Sequence, residues 1–219
     1  MDVREVMEAR HSVRQYIDRP LSDDIVARLQ DEIASINAES GLSIRLVLDE
    51  PTAFKKVMTR MTGFRNAVNY FAMIGPDDPS LEGKVGYYGE RLVLFAQSIG
   101  LNTCWAMFCG KKACRKDMAE GLRMPIGIAV GYGENQGVPH KNRPVEQVAD
   151  LKDAPDWFVE GVECAMLAPT GMNKQNFRFE RDGDRVRIIG GSSSLARIDQ
   201  GIVRYHFETG AGDNFTWAD

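Results

Sequence analysis

The stretch NFRFERDGDRVRII, residues 176–189, decides the fold class. Residues 176–181 and 185–189 read as two short strands, and Asp182-Gly183-Asp184 between them is a strong turn signal. Gly readily adopts a left-handed backbone, and Asp side chains bond to the backbone of their own turn. The stretch therefore predicts an antiparallel hairpin. A hairpin within loosely alternating helices and strands favours an α+β domain, with a mainly antiparallel or mixed sheet flanked by helices, over a doubly wound parallel sheet.

The hydrophobic periodicity outward from this hairpin predicts the other elements. Strands are expected at residues 43–48, 69–74 and 125–132. Helices are expected at residues 1–10, 22–37, 54–61, 84–99, 153–167 and 194–208. The helix at 84–99 is apolar over most of its circumference, which predicts a central position.

A duplication is suggested by helix–strand units on both sides of residue 150. The helix at 194–208 is a candidate counterpart of the helix at 84–99. We therefore expect two halves, residues 1–150 and the shorter 151–219, which pack on one shared core.

The composition excludes several classes of function. The 219 residues are 43% hydrophobic and 26% charged with net charge −4, which is typical of a globular protein and unfavourable for binding nucleic acid or an anionic membrane. The N-terminus lacks the apolar segment of a signal peptide, so a cytoplasmic location is expected. The four cysteines are Cys104, Cys109, Cys114 and Cys164. Because no two of them have the Cys-x-x-Cys spacing typical of a zinc site, no metal is expected.

A basic cluster, Arg10-His11-Ser12-Val13-Arg14, closes the first predicted helix. Two guanidinium groups and a hydroxyl are the donors that bind a phosphate dianion. The alternative is a solvated basic turn. A second pair of cations, Lys141 and Arg143, lies in a Gly/Pro/Asn-rich segment. The alternative interpretation of this segment is an ordinary solvated loop.

Two further stretches carry candidate binding residues. APTGMNKQNF, residues 168–177, places Asn173 and Gln175 ahead of a strand, where amides can read the edge of a heteroaromatic ring. The alternative is a helix-to-strand loop with Asx-turns. IGLNTCW, residues 99–105, ends at Trp105, which either floors a pocket or belongs to the core.

Together these four stretches resemble the motifs of the flavin-dependent nitroreductase family. Arg-x-Ser-x-Arg resembles the family's phosphate-binding start, and APTGMNKQNFRF resembles its motif A-P-S-x-x-N-x-Q-P-W-x-F. IGLNTCW resembles its motif L-G-L-G-T-C-W. VGYGENQGVPHKNRPVEQV resembles its closing segment, G-Y-x…K-x-R-P. Asn176 and Phe177 stand where the family has Pro and Trp. The Asn-x-Gln motif follows the K-x-R loop here, an order that resembles a variant subfamily of pseudo-dimers with two halves of the nitroreductase-like fold in one chain.

The resemblance implies a site for FMN. Arg10, Ser12 and Arg14, with Lys141 or Arg143, would hold its phosphate, and His11 would contribute through its backbone. The resemblance also implies that Asn173 bonds the edge of the isoalloxazine ring and that Gln175 supports Asn173 or the loop that carries it. The segment containing Cys104 and Trp105 would line one face of the ring.

The resemblance also implies a function, an FMN-dependent oxidoreductase that reduces small acceptors, such as nitroaromatics or quinones, with electrons from NAD(P)H by a ping-pong mechanism. Flavin N5 would be the reactive centre, with no catalytic side chain. A flavin-binding protein that sequesters or senses FMN with little turnover is the alternative, and specialised flavin chemistry such as dehydrogenation is a third. The chain would be a pseudo-dimeric monomer or a homodimer.

Overall fold

The computed structural model describes residues 2–54, 62–107, 109 and 118–218. The described residues divide into two compact units, and each unit is assembled from separate segments of the chain. Unit 1 comprises Met1–Ala9, Glu82–Arg91 and Pro139–Asp219, and unit 2 comprises Arg10–Leu81 and Leu92–Val138. The expected halves, residues 1–150 and 151–219, remain a prediction.

Unit 2 is built on an antiparallel sheet. Its strands are β1 (Arg45–Val47), β2 (Tyr70–Pro76), β3 (Asn102–Ala106) and β4 (Leu122–Gly131), in the order β1-β2-β4-β3. Helix α2 (Asp23–Ser40) packs on β1. Strands β2 and β4 are central, and six of the seven β2 residues are buried, which explains its continuous apolar run.

Unit 1 contains the hairpin that decided the fold class. Strands β5 (Phe177–Asp182) and β6 (Arg185–Gly190) pair antiparallel, and β7 (Thr216–Trp217) joins β6 in parallel. Three helices belong to this unit: α1 (Val3–Ala9), α4 (Asp156–Met166) and α5 (Ser194–Ala211). Its core is aromatic, with Phe179 stacked on Phe207 at 4.5 Å between ring centroids and Phe158 edge-on to Phe207.

Helix α3 (Leu81–Ser98) supplies residues 82–91 to unit 1 and residues 92–98 to unit 2. In unit 1 it crosses α5 with almost no space between the backbones. A Cβ added to Gly86 would lie 2.1 Å from the Ile198 carbonyl oxygen, and one added to Gly201 would lie 2.2 Å from the Gly83 carbonyl oxygen. Only glycine allows this approach at Gly86 and Gly201.

A buried polar pair also joins α3 to α5. His206 Nε2 lies 3.0 Å from Glu90 Oε1, His206 Nδ1 lies 3.0 Å from the Cys164 carbonyl oxygen, and neither His206 nor Glu90 is exposed to solvent. Since the carbonyl can only accept, Nδ1 carries a hydrogen. Both ring nitrogens of His206 therefore have a polar partner within the core of unit 1.

The sequence predicted most of these elements. The α+β class, the hairpin, the strands at 43–48, 69–74 and 125–132 and the helices at 1–10, 22–37, 84–99, 153–167 and 194–208 are confirmed, with shifted ends. The helix expected from residue 153 begins at Asp156, with Pro155 as its N-cap. The helix expected at 54–61 lies largely outside the described residues, as does Cys114.

Candidate functional site

The basic cluster lies along the open edge of the unit 2 sheet. Strand β3 is an edge strand, and Ser12 forms a parallel bridge with Thr103 on it. Val13 N donates to the Thr103 carbonyl at 3.0 Å, and the buried Tyr16 hydroxyl donates back to the Val13 carbonyl at 2.7 Å. The segment 10–16 is therefore held by backbone pairing, which fixes the direction of its side chains.

This pairing brings Arg10, Ser12 and Arg14 around Cys104, one of the expected flavin-site residues. Burial raises the pKa of the Cys104 thiol, while the charge of Arg14, a hydrogen bond from Ser12 and the charge of Arg10 oppose the rise less strongly. The thiol therefore stays protonated at neutral pH and is not a nucleophile. Arg10 is only 3% exposed, whereas Arg14 is exposed.

Cys104 and Trp105 face opposite sides of the sheet, because successive side chains of a strand alternate. Trp105 is on the side opposite to Cys104 and is half-buried. This burial is intermediate between that of an exposed residue on a pocket floor and that of a core residue, the two roles considered for it above. Only one of these two side chains can therefore face a ligand bound on one side of the sheet.

His11 is covered by the loop that follows β4. Gly137 has φ +73°, and a Cβ added to it would lie 2.7 Å from His11 Cβ. The first part of the VGYGENQG motif, residues 130–137, thus packs on the basic cluster within unit 2. Two motifs that are more than a hundred residues apart in sequence meet here.

In unit 1, the amide stretch and the cationic loop are joined by hydrogen bonds. The Lys141 carbonyl accepts from Asn173 Nδ2 at 2.8 Å and from Gln175 Nε2 at 2.9 Å. Arg143 N donates to Gln175 Oε1 at 2.9 Å, and Gln175 Nε2 donates to Asn173 Oδ1 at 2.8 Å. Gln175 is 2% exposed, and its amide oxygen and nitrogen both bond to the backbone of the loop that carries Lys141 and Arg143. Asn173, Lys141 and Arg143 are exposed.

The segment Thr170–Gln175, called here the amide loop, has an unusual backbone. Met172, Asn173 and Gln175 have φ of 53°, 53° and 45°. Such left-handed conformations cost non-glycine residues about 1–3 kcal/mol each and persist only where surrounding contacts impose them. One such contact is the hydrogen bond from Gln175 N to Thr170 Oγ1 at 3.0 Å.

Asp199 on α5 contacts the amide loop, and the sequence did not single it out. Its two carboxylate oxygens accept from Gly171 N at 3.0 and 3.1 Å. Burial raises the pKa of Asp199 to about 6, against the opposing effects of the Gly171 hydrogen bond and of Lys174. The residue lies 28 positions away in the middle of a helix, where an Asp carries no motif signal.

Within the described ranges, no group of three His, Cys, Asp or Glu side chains could hold a metal ion. No helix of the described chain is long and apolar enough to cross a membrane.

Comparison with known proteins identifies the family. The model of a family described as "Putative TM nitroreductase" matches residues 2–211. The chain belongs to this nitroreductase family. Nitroreductases are oxidoreductases by name, and the predicted resemblance to this family is confirmed. No curated protein matches the sequence.

Solved structures show the same fold. A putative nitroreductase from Thermotoga maritima is 23% identical, with 95% of this chain and 83% of that chain covered and a TM-score of 0.69. A nitroreductase-like protein from Streptococcus mutans is 16% identical, with 67% and 95% covered and a TM-score of 0.55. A putative nitroreductase in complex with FMN, from Desulfovibrio desulfuricans, is 16% identical, with 67% and 94% covered and a TM-score of 0.54. The nitroreductase-like α+β fold predicted for this chain is therefore confirmed.

Proposed function

We propose that this nitroreductase-family protein is an FMN-dependent oxidoreductase that reduces small acceptors, such as nitroaromatics or quinones, with electrons from NAD(P)H in a ping-pong cycle. The observation that carries the proposal is the convergence of Arg10, Ser12 and Arg14 at the edge of β3.

The chemistry of this donor set fits the phosphate end of FMN. A phosphate monoester carries nearly two negative charges at pH 7. Arg10 and Arg14 supply two positive charges in planar donor groups, and Ser12 supplies a hydroxyl. Because Arg10 is almost fully buried, its charge is weakly screened and acts strongly on an anion bound beside it.

The amide loop supplies the second part of the proposed site. Asn173 is exposed, and its amide keeps a donor hydrogen beyond the one given to the Lys141 carbonyl, so it can bond a ring edge. Gln175 would orient Asn173 and the loop that carries Lys141 and Arg143.

FMN, when bound, supplies the redox chemistry by taking hydride from a nicotinamide and passing electrons to an acceptor. The roles proposed for this chain are to bind the phosphate through Arg10, Ser12 and Arg14 and to orient the ring through Asn173. No dedicated proton donor is needed, because solvent can furnish protons.

The internal duplication belongs to this proposal. Gly86 and Gly201 make reciprocal close contacts across the α3–α5 crossing, as equivalent positions of two-fold related helices do. The Streptococcus mutans and Desulfovibrio desulfuricans structures, nearly all of which align, cover 67% of this chain. Both observations support a pseudo-dimeric chain.

Replacing the two arginines tests the cofactor site. Arg10→Ala with Arg14→Ala should weaken FMN binding by at least about a hundredfold, since each charge-assisted hydrogen bond contributes about 1.5–3 kcal/mol. Binding is measured by quenching of FMN fluorescence, and folding by circular dichroism. The charge-matched control is Arg28→Ala with Arg187→Ala, two exposed arginines outside the proposed site. A folded double variant that binds FMN as tightly as the wild type would refute the assignment.

Turnover is tested by anaerobic titration of the FMN-loaded protein with NADH and with NADPH. An oxidoreductase loses its flavin absorbance on addition of one of them and regains it when a nitroaromatic or quinone is added. Flavin that stays oxidised with both nicotinamides would contradict the proposed electron donor and favour the sequestering alternative.

A further inference from the structure

We propose that Asp199 is a positioning residue for flavin binding, because it anchors Gly171 and so fixes the amide loop that presents Asn173. The inference rests on the proposed function, since it concerns the same cofactor site. Asp199 does not itself contact the cofactor in this scheme.

The first step of the argument is the contact itself. Both carboxylate oxygens of Asp199 lie within 3.1 Å of Gly171 N, the first backbone amide of the turn Gly171–Asn173. A Cβ added to Gly171 would lie 3.5 Å from Asp199 Oδ2 and 3.5 Å from Leu195 Cδ2. The beginning of the amide loop therefore lies directly against α5.

The second step concerns the backbone that follows. Met172 and Asn173, the next two residues, are left-handed, and the strain must be balanced by contacts at both ends of the turn. Gln175 secures the far end through Lys141 and Arg143. Asp199 secures the near end, from a helix outside the loop.

The third step is the cost of this arrangement. A half-buried carboxylate with a raised pKa is disfavoured in its charged form, so Asp199 lowers the stability of the folded protein at neutral pH. A leucine of similar size would avoid that cost but could not accept from Gly171 N. Residues that reduce stability while holding a strained loop are typical of binding sites.

The test compares Asp199→Leu, Asp199→Asn and Gln200→Leu. Gln200 is the matched control, because it is the next residue of α5, is also half-buried and donates to a different loop, at the Gly191 carbonyl. Amide hydrogen exchange at Gly171 in the flavin-free protein reports the anchor. FMN affinity and the unfolding midpoint are measured on the same samples.

We expect Asp199→Leu to lose exchange protection at Gly171 and to bind FMN at least about tenfold more weakly, with an unfolding midpoint no lower than that of the wild type. Asp199→Asn keeps one acceptor and should stay within about threefold of the wild-type affinity. Gln200→Leu should change neither Gly171 exchange nor FMN affinity.

Unchanged Gly171 protection in Asp199→Leu would overturn the anchoring role, whatever the flavin result. Lost protection with wild-type FMN affinity would overturn the link to flavin binding. A wild-type protein that binds no FMN would instead refute the proposed function, and the Gly171 exchange data would still report on the anchor.

Discussion

At the scale of single residues, Asp199 predicts a dependence of stability on pH. Its folded-state pKa is about 6 and its ordinary value is 3.8. The folded protein therefore holds this proton more tightly than the unfolded chain does. The resulting stabilisation is complete below about pH 3.8 and is lost as the pH rises through about 6.

Urea unfolding of the wild type and of Asp199→Asn between pH 4 and pH 7 measures this effect. The difference between the two variants isolates Asp199 from the other titrating groups. The free energy of unfolding of Asp199→Asn, relative to that of the wild type, should increase as the pH rises. A difference that is constant over this range would contradict the raised pKa.

Sequence reasoning could single out some candidate binding residues, but not their burial or their contacts. Arg10, Ser12 and Arg14 could be singled out because their spacing in one short segment matches a phosphate site. The burial of Arg10 could not, since it depends on pairing with β3, about ninety residues away. Asp199 carried no local signal at all.

At the scale of elements, the crossing of α3 and α5 depends on Gly86. Gly86→Ala would place a methyl group 2.1 Å from the Ile198 carbonyl oxygen, and backbone atoms cannot yield as a flexible side chain does. We expect a loss of about 3 kcal/mol or more in the free energy of unfolding. Urea denaturation monitored by circular dichroism measures it.

Gly83→Ala is the matched control for this substitution. Gly83 belongs to the same helix, and a Cβ added there meets nothing within 4 Å. Alanine should therefore stabilise α3 by about 0.5–1 kcal/mol through its higher helix propensity. Equal effects of the two substitutions would show that helix propensity, rather than close packing, governs Gly86.

The elements differed in how well the sequence specified them. The β5–β6 hairpin was predictable because its turn chemistry and its strand pattern agree. Strand β3 was not, because Asn102, Thr103 and Cys104 show no apolar alternation and all three are buried. Their burial comes from the β4 strand on one side and the segment 10–16 on the other.

At the scale of the whole molecule, the shared helix α3 predicts cooperative unfolding. Residues 82–91 of α3 belong to unit 1 and residues 92–98 to unit 2, so melting either unit removes the packing from part of the same helix. We expect one urea transition. Trp105 reports on unit 2, and Trp157 with Trp217 reports on unit 1.

Variants with Trp→Phe at Trp105, or at Trp157 together with Trp217, separate the two fluorescence signals. The midpoints of the two signals should agree with each other and with the midpoint from circular dichroism. Two transitions, with the Trp105 signal resolved from the others, would show that the units unfold independently.

The assembly of the units was the least predictable level. The sequence predicted an α+β chain with an internal repeat. It did not predict that the first nine residues and residues 82–91 join unit 1, because they are far from its main segment in the chain. Such assignments depend on tertiary contacts, among them the buried pair of Glu90 and His206, and local periodicity contains no information on them.

The backbone pairing of Ser12 and Val13 with Thr103 has a consequence for solubility. An edge strand with open N–H and C=O groups can pair with a strand of another molecule and seed aggregation. Segment 10–16 covers this part of β3, so the same residues that would hold the cofactor also block intermolecular strand addition. Detaching the segment would therefore expose unpaired backbone groups of β3 and disrupt the proposed phosphate site together.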